Sequence, residues 1–242
     1  MEFLTGRRAV LEALRAGSRV RRILLGEGLR GEIVADLRQA ARAKGVLVTE
    51  APRIELDRLT RTTRHQGVVA EVTPLETVTL ERLLARPAQR RLLVLLDGIT
   101  DPQNLGAIIR SAAVFGAQGV VIEEHRSAPL AEGAVRASAG AAEHLPVAAV
   151  KNLPRAIEQL KQANIWVFGG VASGGEDPGK LDWDLDLALV IGSEDQGLRR
   201  LVREKCDRLV QIPMQGKMAS LNASVAAGIL LYEATRGRIP SP

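Results

Sequence analysis

Two unbroken apolar runs, LLVLL at 92–96 and LALVI at 187–191, constrain the fold of this chain more than any other feature. A strand with one wet face alternates apolar and polar side chains. A run of consecutive branched aliphatics needs cover on both faces, which places it inside a parallel sheet flanked by helices. The residues around these runs continue the alternation. Strands are predicted at 92–96, 119–122, 146–149, 165–168, 187–191 and 208–212, and helices near 104–115, 131–139, 152–163, 198–205 and 219–235. The rear of the chain is therefore α/β with a parallel sheet, and its informative residues should lie just beyond the carboxyl ends of strands.

The front of the chain alternates on a smaller scale. GRRAVLEALRAG (6–17) places Val10, Leu11 and Leu14 on one helical face, VRRILL (20–25) is a strand pattern, and EIVADLRQAARAKG (32–45) is a second amphipathic helix closed by Gly45. Short strand patterns at 46–48 and 67–73 enclose a brief helix at 54–59. Residues 74–91, bounded by Pro74 and interrupted by Pro87, read as a linker with a helical piece at 79–85. The expected division is 1–73, linker 74–91, and 92–242.

Charge separates the same two parts. Residues 1–91 hold 18 Lys+Arg against 11 Asp+Glu, whereas residues 92–242 hold 15 against 17. A basic front beside a near-neutral rear points to a polyanion partner for the front. Arg7, Arg8, Arg21, Arg22, Arg61 and Arg64 are the candidate phosphate contacts, with His65 beside them. Aromatic residues are only 2% of the chain, which argues against a base-stacking platform. One cysteine, Cys206, and three scattered histidines provide neither a disulfide framework nor a metal-ligand spacing. No apolar run approaches the ~20 residues of a membrane span, and the start MEFLTGRRAV lacks a secretory pattern. A cytoplasmic setting is expected.

Three loops follow three of the rear strands. DGITDPQNLGAIIR (97–110) carries Pro102 near a helix start, Asn104 at the loop and Arg110 in an otherwise apolar helix. An arginine so placed reads as buried and in need of a partner. GSEDQGLRRLV (192–202) has Gly192 and Gly197, which permit close backbone approach, and Glu194 and Asp195 at a helix entrance, where carboxylates favour the dipole. MQGKMASLNASVAAGILLYEA (214–234) places Ser220 and Asn222 before a helix rich in Ala and Gly.

In order, these loops read N-L-G-x-x-x-R, G-S-E-x-x-G-L, then I-P-M followed by S-L-N-x-S-V-A. With these motifs the sequence resembles the SpoU-type RNA ribose 2′-O-methyltransferases, the TrmH family within the knotted SPOUT class. RSAPL (126–130) and GAAEHLPV (140–147) add to the likeness, and GRRAVLEAL with RHQGVVAEV resembles the family's L30e-like substrate-binding module. The layout is most similar to enzymes that methylate guanosine in large-subunit ribosomal RNA.

The resemblance implies a rear domain with a deep trefoil knot, S-adenosylmethionine as methyl donor, no metal, and a homodimer formed through the rear domain with the helix at 219–235 contributing. It carries donor contacts to Gly192, Ile212 and Leu221, with Val171 a softer candidate. Arg110, Asn104, Glu194, Ser220 and Asn222 are implied as the catalytic set. Arg110 would grip an RNA phosphate and stabilise the attacking oxygen, or act as base, with Glu194 as its partner before substrate arrives. Asp195 stands where relatives often carry Gly. The RNA is expected to be ribosomal, with transfer RNA second. A silent RNA-binding or ribosome-assembly protein and a small-molecule α/β enzyme are the other readings.

Overall fold

Residues 2–17, 19–216 and 220–238 are described by the computed structural model, and they contain two sheets. The front sheet holds β1 (Glu2–Thr5), β2 (Val20–Gly26), β3 (Leu47–Ala51) and β4 (Val68–Val72) in the order β1-β4-β2-β3. Only β2 and β3 are parallel; β4 runs antiparallel to both β1 and β2. The strand β1 had no sequence signal, because four residues are too few for a period to register. Helices α1 (Arg7–Ala16), α2 (Glu32–Ala43) and α3 (Arg53–Thr60) complete the front. Val10, Leu11 and Leu14 are buried as their spacing requires, and Gly45, at φ 69°, ends α2 in the left-handed region open to glycine.

Residues 74–91 are not a loose connection. Val78 pairs with Ala148 as an isolated parallel bridge, and α4 (Leu80–Leu84) buries Leu80 and Leu83 against the rear sheet. The helical piece is thus real, and it belongs to the rear packing.

The rear sheet comprises β5 (Leu92–Asp97), β6 (Gly119–Glu123), β7 (Val147–Val150), β8 (Trp166–Val171), β9 (Leu187–Gly192) and β10 (Arg208–Gln211), ordered β10-β8-β9-β5-β6-β7 and parallel throughout. Leu92–Leu96 and Leu187–Ile191 are buried along their whole length, as the unbroken runs demanded. The covering helices are α5 (Pro102–Val114), α6 (Glu132–Ala137), α7 (Leu153–Gln162), α8 (Arg200–Lys205) and α9 (Ala223–Thr235). Of the helix expected at 219–235, Ala219 lies outside the described residues and the helix begins at Ala223, because Asn222 caps it. The chain leaves β5 toward β6 and β7, then returns on the other side, so β5 and β9 flank a switch point where a cleft opens at the strand ends.

The glycine of N-L-G-x-x-x-R serves packing. A Cβ on Gly106 would lie 2.4 Å from the Ala134 carbonyl oxygen and 2.4 Å from Ala137 Cβ, so only glycine permits the close crossing of α5 and α6. The front and rear pack directly on each other. Arg19 is bound to Glu143 at 2.6 Å with both side chains largely buried, and Thr5 Oγ1 donates to Glu132 at 2.8 Å.

Candidate active site

The three loops meet. In α5 the cap is Asp101, whose carboxylate accepts from the backbone N–H of Gln103 and Asn104; Asn104 itself is thereby free to present its side chain. Its Nδ2 donates to Glu194 Oε1 at 2.9 Å. From the other side Asn222 Nδ2 donates both to Asn104 Oδ1, at 3.0 Å, and to Glu194 Oε1. The amide of Asn222 has a fixed orientation. Its Oδ1 is the cap of α9 and accepts from Ser224 N, Ser224 Oγ and Val225 N, which leaves Nδ2 pointing across the cleft. Ser224, absent from the expected site, is therefore a positioning residue; its signal was the serine two places after Asn222.

The sequence placed Glu194 at the entrance of the helix that follows it. That helix, α8, begins only at Arg200, after a tight turn in which Gly197 N donates to Ser193 O at 2.9 Å. Glu194 instead accepts from Ala223 N at 3.3 Å, so its carboxylate lies at the N-terminus of α9, a helix distant in sequence. Asp195, adjacent and exposed, has no ion pair among the described residues.

A cavity of about 390 Å³ opens beside this triad. Gly170 and Val171 at the end of β8, Gly192 at the end of β9 with Glu194 just beyond it, and Ile212, Ser220 and Leu221 after β10 line it. All four expected donor contacts and two of the five expected catalytic residues thus share one hollow, with Asn104 and Asn222 hydrogen-bonded at its rim. Gly192 is required there on steric grounds: a Cβ would stand 2.2 Å from the Gly197 carbonyl carbon and 2.5 Å from Leu198 N. Gly192→Val should push the 193–198 turn outward and weaken donor binding at least tenfold, measured by calorimetric titration. An unchanged affinity would show that the turn is not part of the donor site.

Arg110 departs from the expectation. It is exposed, it does not line the cavity, and no ion pair holds it among the described residues. Glu194 is taken by the two asparagines instead of by Arg110. Helix geometry explains this, since six residues beyond Asn104 is about 9 Å along α5 and about 120° around it. The apolar surroundings in sequence had suggested burial, but Ile108 and Ile109 take the core-facing positions.

The arginine that is held lies elsewhere. Arg199 donates from its backbone N and its Nε to Asp97, at 2.7 and 2.5 Å, and from Nη2 to Glu123 at 2.7 Å. Burial works to lower its pKa, and the hydrogen bonds and charges of Asp97 and Glu123 outweigh that, so the guanidinium is held above its ordinary value. Asp97 is 1% exposed. This network ties the turn after β9 to the ends of β5 and β6. Its sequence signal was available in the acid that ends the apolar run LLVLLD.

Of the front candidates, His65 is fully buried. Gly67 N donates to its Nδ1 at 3.0 Å, so Nε2 carries the proton that Asp57 accepts at 2.7 Å. Such a histidine braces a loop and cannot touch RNA. Arg22 is paired with Glu71 at 3.4 Å and Arg21 leans on Thr73, while Arg8, Arg61 and Arg64 are exposed with no ion pair among the described residues. Cys206, pushed up to about 12 by burial with Asp207 adding to it, is an inert thiol. Among the described residues no cluster of His, Cys, Asp and Glu is arranged to hold a metal, and no helix is long and apolar enough to cross a membrane.

Comparison with known proteins identifies the family. The family model described as the SpoU rRNA Methylase family matches residues 91–232, and one described as RNA 2′-O ribose methyltransferase substrate binding matches residues 3–78. A Bacillus subtilis (strain 168) protein, YacO, named for the TrmH family of tRNA/rRNA methyltransferases, is 41% identical over 242 residues, covering 99% of this chain and 97% of its own. A Staphylococcus aureus (strain COL) protein of the same family name is 40% identical, covering 97% and 96%. Among solved structures, the SpoU methyltransferase AviRb of Streptomyces viridochromogenes in complex with AdoMet superposes with a TM-score of 0.82 at 29% identity, covering 99% of this chain and 91% of that one. An AdoMet-bound rRNA methyltransferase of Sinorhizobium meliloti gives 0.81 at 27%, covering 98% and 88%.

Proposed function

Because the chain belongs to the SpoU rRNA methylase family, we propose that it uses S-adenosylmethionine to methylate the ribose 2′-hydroxyl of a guanosine in 23S ribosomal RNA. The observation that carries this reading is the junction of Asn104, Glu194 and Asn222 at the rim of one cavity. The two AdoMet-bound neighbours and the match of the front to a ribose-methyltransferase substrate-binding module support the donor and the kind of acceptor.

The cavity fits a molecule with an apolar body and a cationic centre. Its volume is in the range of small-molecule sites. Ile191, Val210 and Leu230 form an apolar floor, and a Cβ on Gly170 would crowd Leu230 Cδ1 at 3.0 Å. Backbone at Gly192, Ile212 and Leu221 would hold the donor, and the carboxylates of Glu194 and Asp195 complement its positive sulfur. When bound, S-adenosylmethionine supplies an electrophilic methyl carbon. Ser220, Asn222 and Asn104 then orient the ribose, and alignment of its 2′-oxygen is worth a large share of the barrier. Arg110, exposed and with no ion pair among the described residues, grips the neighbouring phosphate and lowers the cost of developing charge on that oxygen. A guanidinium stays protonated, so electrostatic stabilisation is its role here.

The family reading also supplies the tertiary expectation of a trefoil knot made by the C-terminal part of the chain, whose helix α9 packs on α5 and β9. It supplies a homodimer as well. Val114 on α5 and Val225 and Tyr232 on α9 are large apolar side chains left 73%, 49% and 46% exposed. Sedimentation equilibrium should return twice the monomer mass.

Transfer of labelled methyl to RNA from a strain lacking the gene, followed by ribose-methylation mapping, tests the assignment. One labelled guanosine in 23S RNA is expected. Label confined to transfer RNA would redirect the substrate, and no label in either RNA despite donor binding would leave the silent RNA-binding protein.

A further inference from the structure

A second hollow, about 520 Å³, lies on the front unit between the end of β2, the start of α1 and the start of α3. We propose that it is a subsite for one unstacked guanine nucleotide of the RNA substrate, a proposal that rests on the RNA-methyltransferase reading above.

The hollow is a built feature. Gln66 and Gly67 stand at φ 55° and 75°, the left-handed region that costs a non-glycine residue energy. Buried His65 holds them there through its bond from Gly67 N and its own bond to Asp57. A side chain at Gly67 would come within 3.1 Å of Leu29 and close the space. The missing side chain at Gly67 therefore leaves a recess beside Leu29, rimmed by the polar groups of Arg7, Glu27, Arg53 and Gln66. Next in sequence to Arg53 of the lining, Ile54, 78% exposed, is the most exposed large hydrophobic of the described residues.

The polar groups have the chemistry of a guanine edge. Gln66 Oε1 accepts from Arg7 N, leaving the amide Nε2 as a donor without a partner among the described residues. Glu27, exposed on the same wall, has no ion pair among the described residues and offers a carboxylate. Guanine presents an O6 acceptor beside N1–H and N2–H donors. An amide N–H together with a carboxylate matches that pattern, whereas adenine and cytosine put a lone pair against the carboxylate. Arg7 and Arg53 line the same hollow, with no carboxylate partner among the described residues, in contrast to the paired Arg19, Arg22 and Arg38. They suit the flanking phosphates.

The hollow and the methyl-transfer cavity are connected through packed residues. Thr5, two places before Arg7, is bound to Glu132; Gly133 beside it lies against Pro102, two places before Asn104. A nucleotide seated in the front would therefore fix the register in which RNA reaches the rear.

The test uses the full-length protein and RNA hairpins that differ only in a single bulged nucleotide, G, A, C or U, or in having none. Binding is measured at low and physiological salt, and S-adenosylhomocysteine binding is measured in parallel. The bulged-G hairpin should bind about tenfold tighter than the others. Glu27→Gln should erase that preference, and Arg53→Ala should weaken all hairpins and reduce the salt dependence, with S-adenosylhomocysteine affinity unchanged for both. Equal binding of all hairpins, or a guanine preference that survives Glu27→Gln, would overturn the subsite while leaving the methyltransferase reading in place. Loss of S-adenosylhomocysteine binding by the unmodified protein would overturn that reading instead.

Discussion

Asp97→Ala is expected to lower the unfolding free energy by about 3–5 kcal/mol, the cost of breaking a buried ion pair by deleting one partner. The carboxylate is 1% exposed and receives two hydrogen bonds from Arg199, one of them from backbone. Its removal leaves a partly buried backbone N–H unpaired and a guanidinium with Glu123 alone. Urea denaturation measures the loss. The same change should loosen the turn that carries Glu194, so donor affinity should fall in protein that remains folded. Asp97→Asn keeps the shape and one acceptor, and should recover part of both losses. A destabilisation below about 1 kcal/mol would mean that Glu123 suffices and that Asp97 is a bystander.

Arg110→Ala should reduce methyl transfer about 100- to 1000-fold with donor affinity unchanged, the scale of deleting one group that stabilises developing negative charge. Its exposure makes the result interpretable. The side chain covers no core, so thermal unfolding should shift by less than about 0.5 kcal/mol, as for an ordinary surface substitution. Single-turnover transfer and calorimetric titration with donor separate the two effects. Arg110→Lys keeps the charge without the planar fork and should rescue only part of the rate. Donor binding lost with Arg110 would reassign the residue to the cavity wall, and transfer retained at full rate would remove it from the chemistry.

Legibility differed between features that repeat locally and features made by distant contacts. The parallel sheet could be read because burial on two faces leaves a signature in five consecutive residues, as in Leu92–Leu96. Helix α9 could be read as a helix, yet its start awaited the knowledge that Asn222 caps it. Asn104, Glu194, Ser220 and Asn222 are recognisable by motif, whereas Asp97, Glu123 and Arg199 belong to no such motif, each alone being an ordinary charged residue. His65 and Arg110 differ in burial from what their sequence surroundings suggest, in opposite directions. A histidine in a basic stretch suggested RNA but is sealed against Asp57; an arginine in an apolar helix suggested burial but faces outward.

Residue order by itself determined the strand-helix alternation, the basic front and the three polar loops, since each depends on neighbours within a few positions. Only the tertiary structure decided which carboxylate meets which amide, which arginine is locked, and that a left-handed Gln66-Gly67 pair holds open a second hollow. Those outcomes depend on segments some 30 to 120 residues apart being brought to within 3 Å of each other, and no local pattern encodes such a distance.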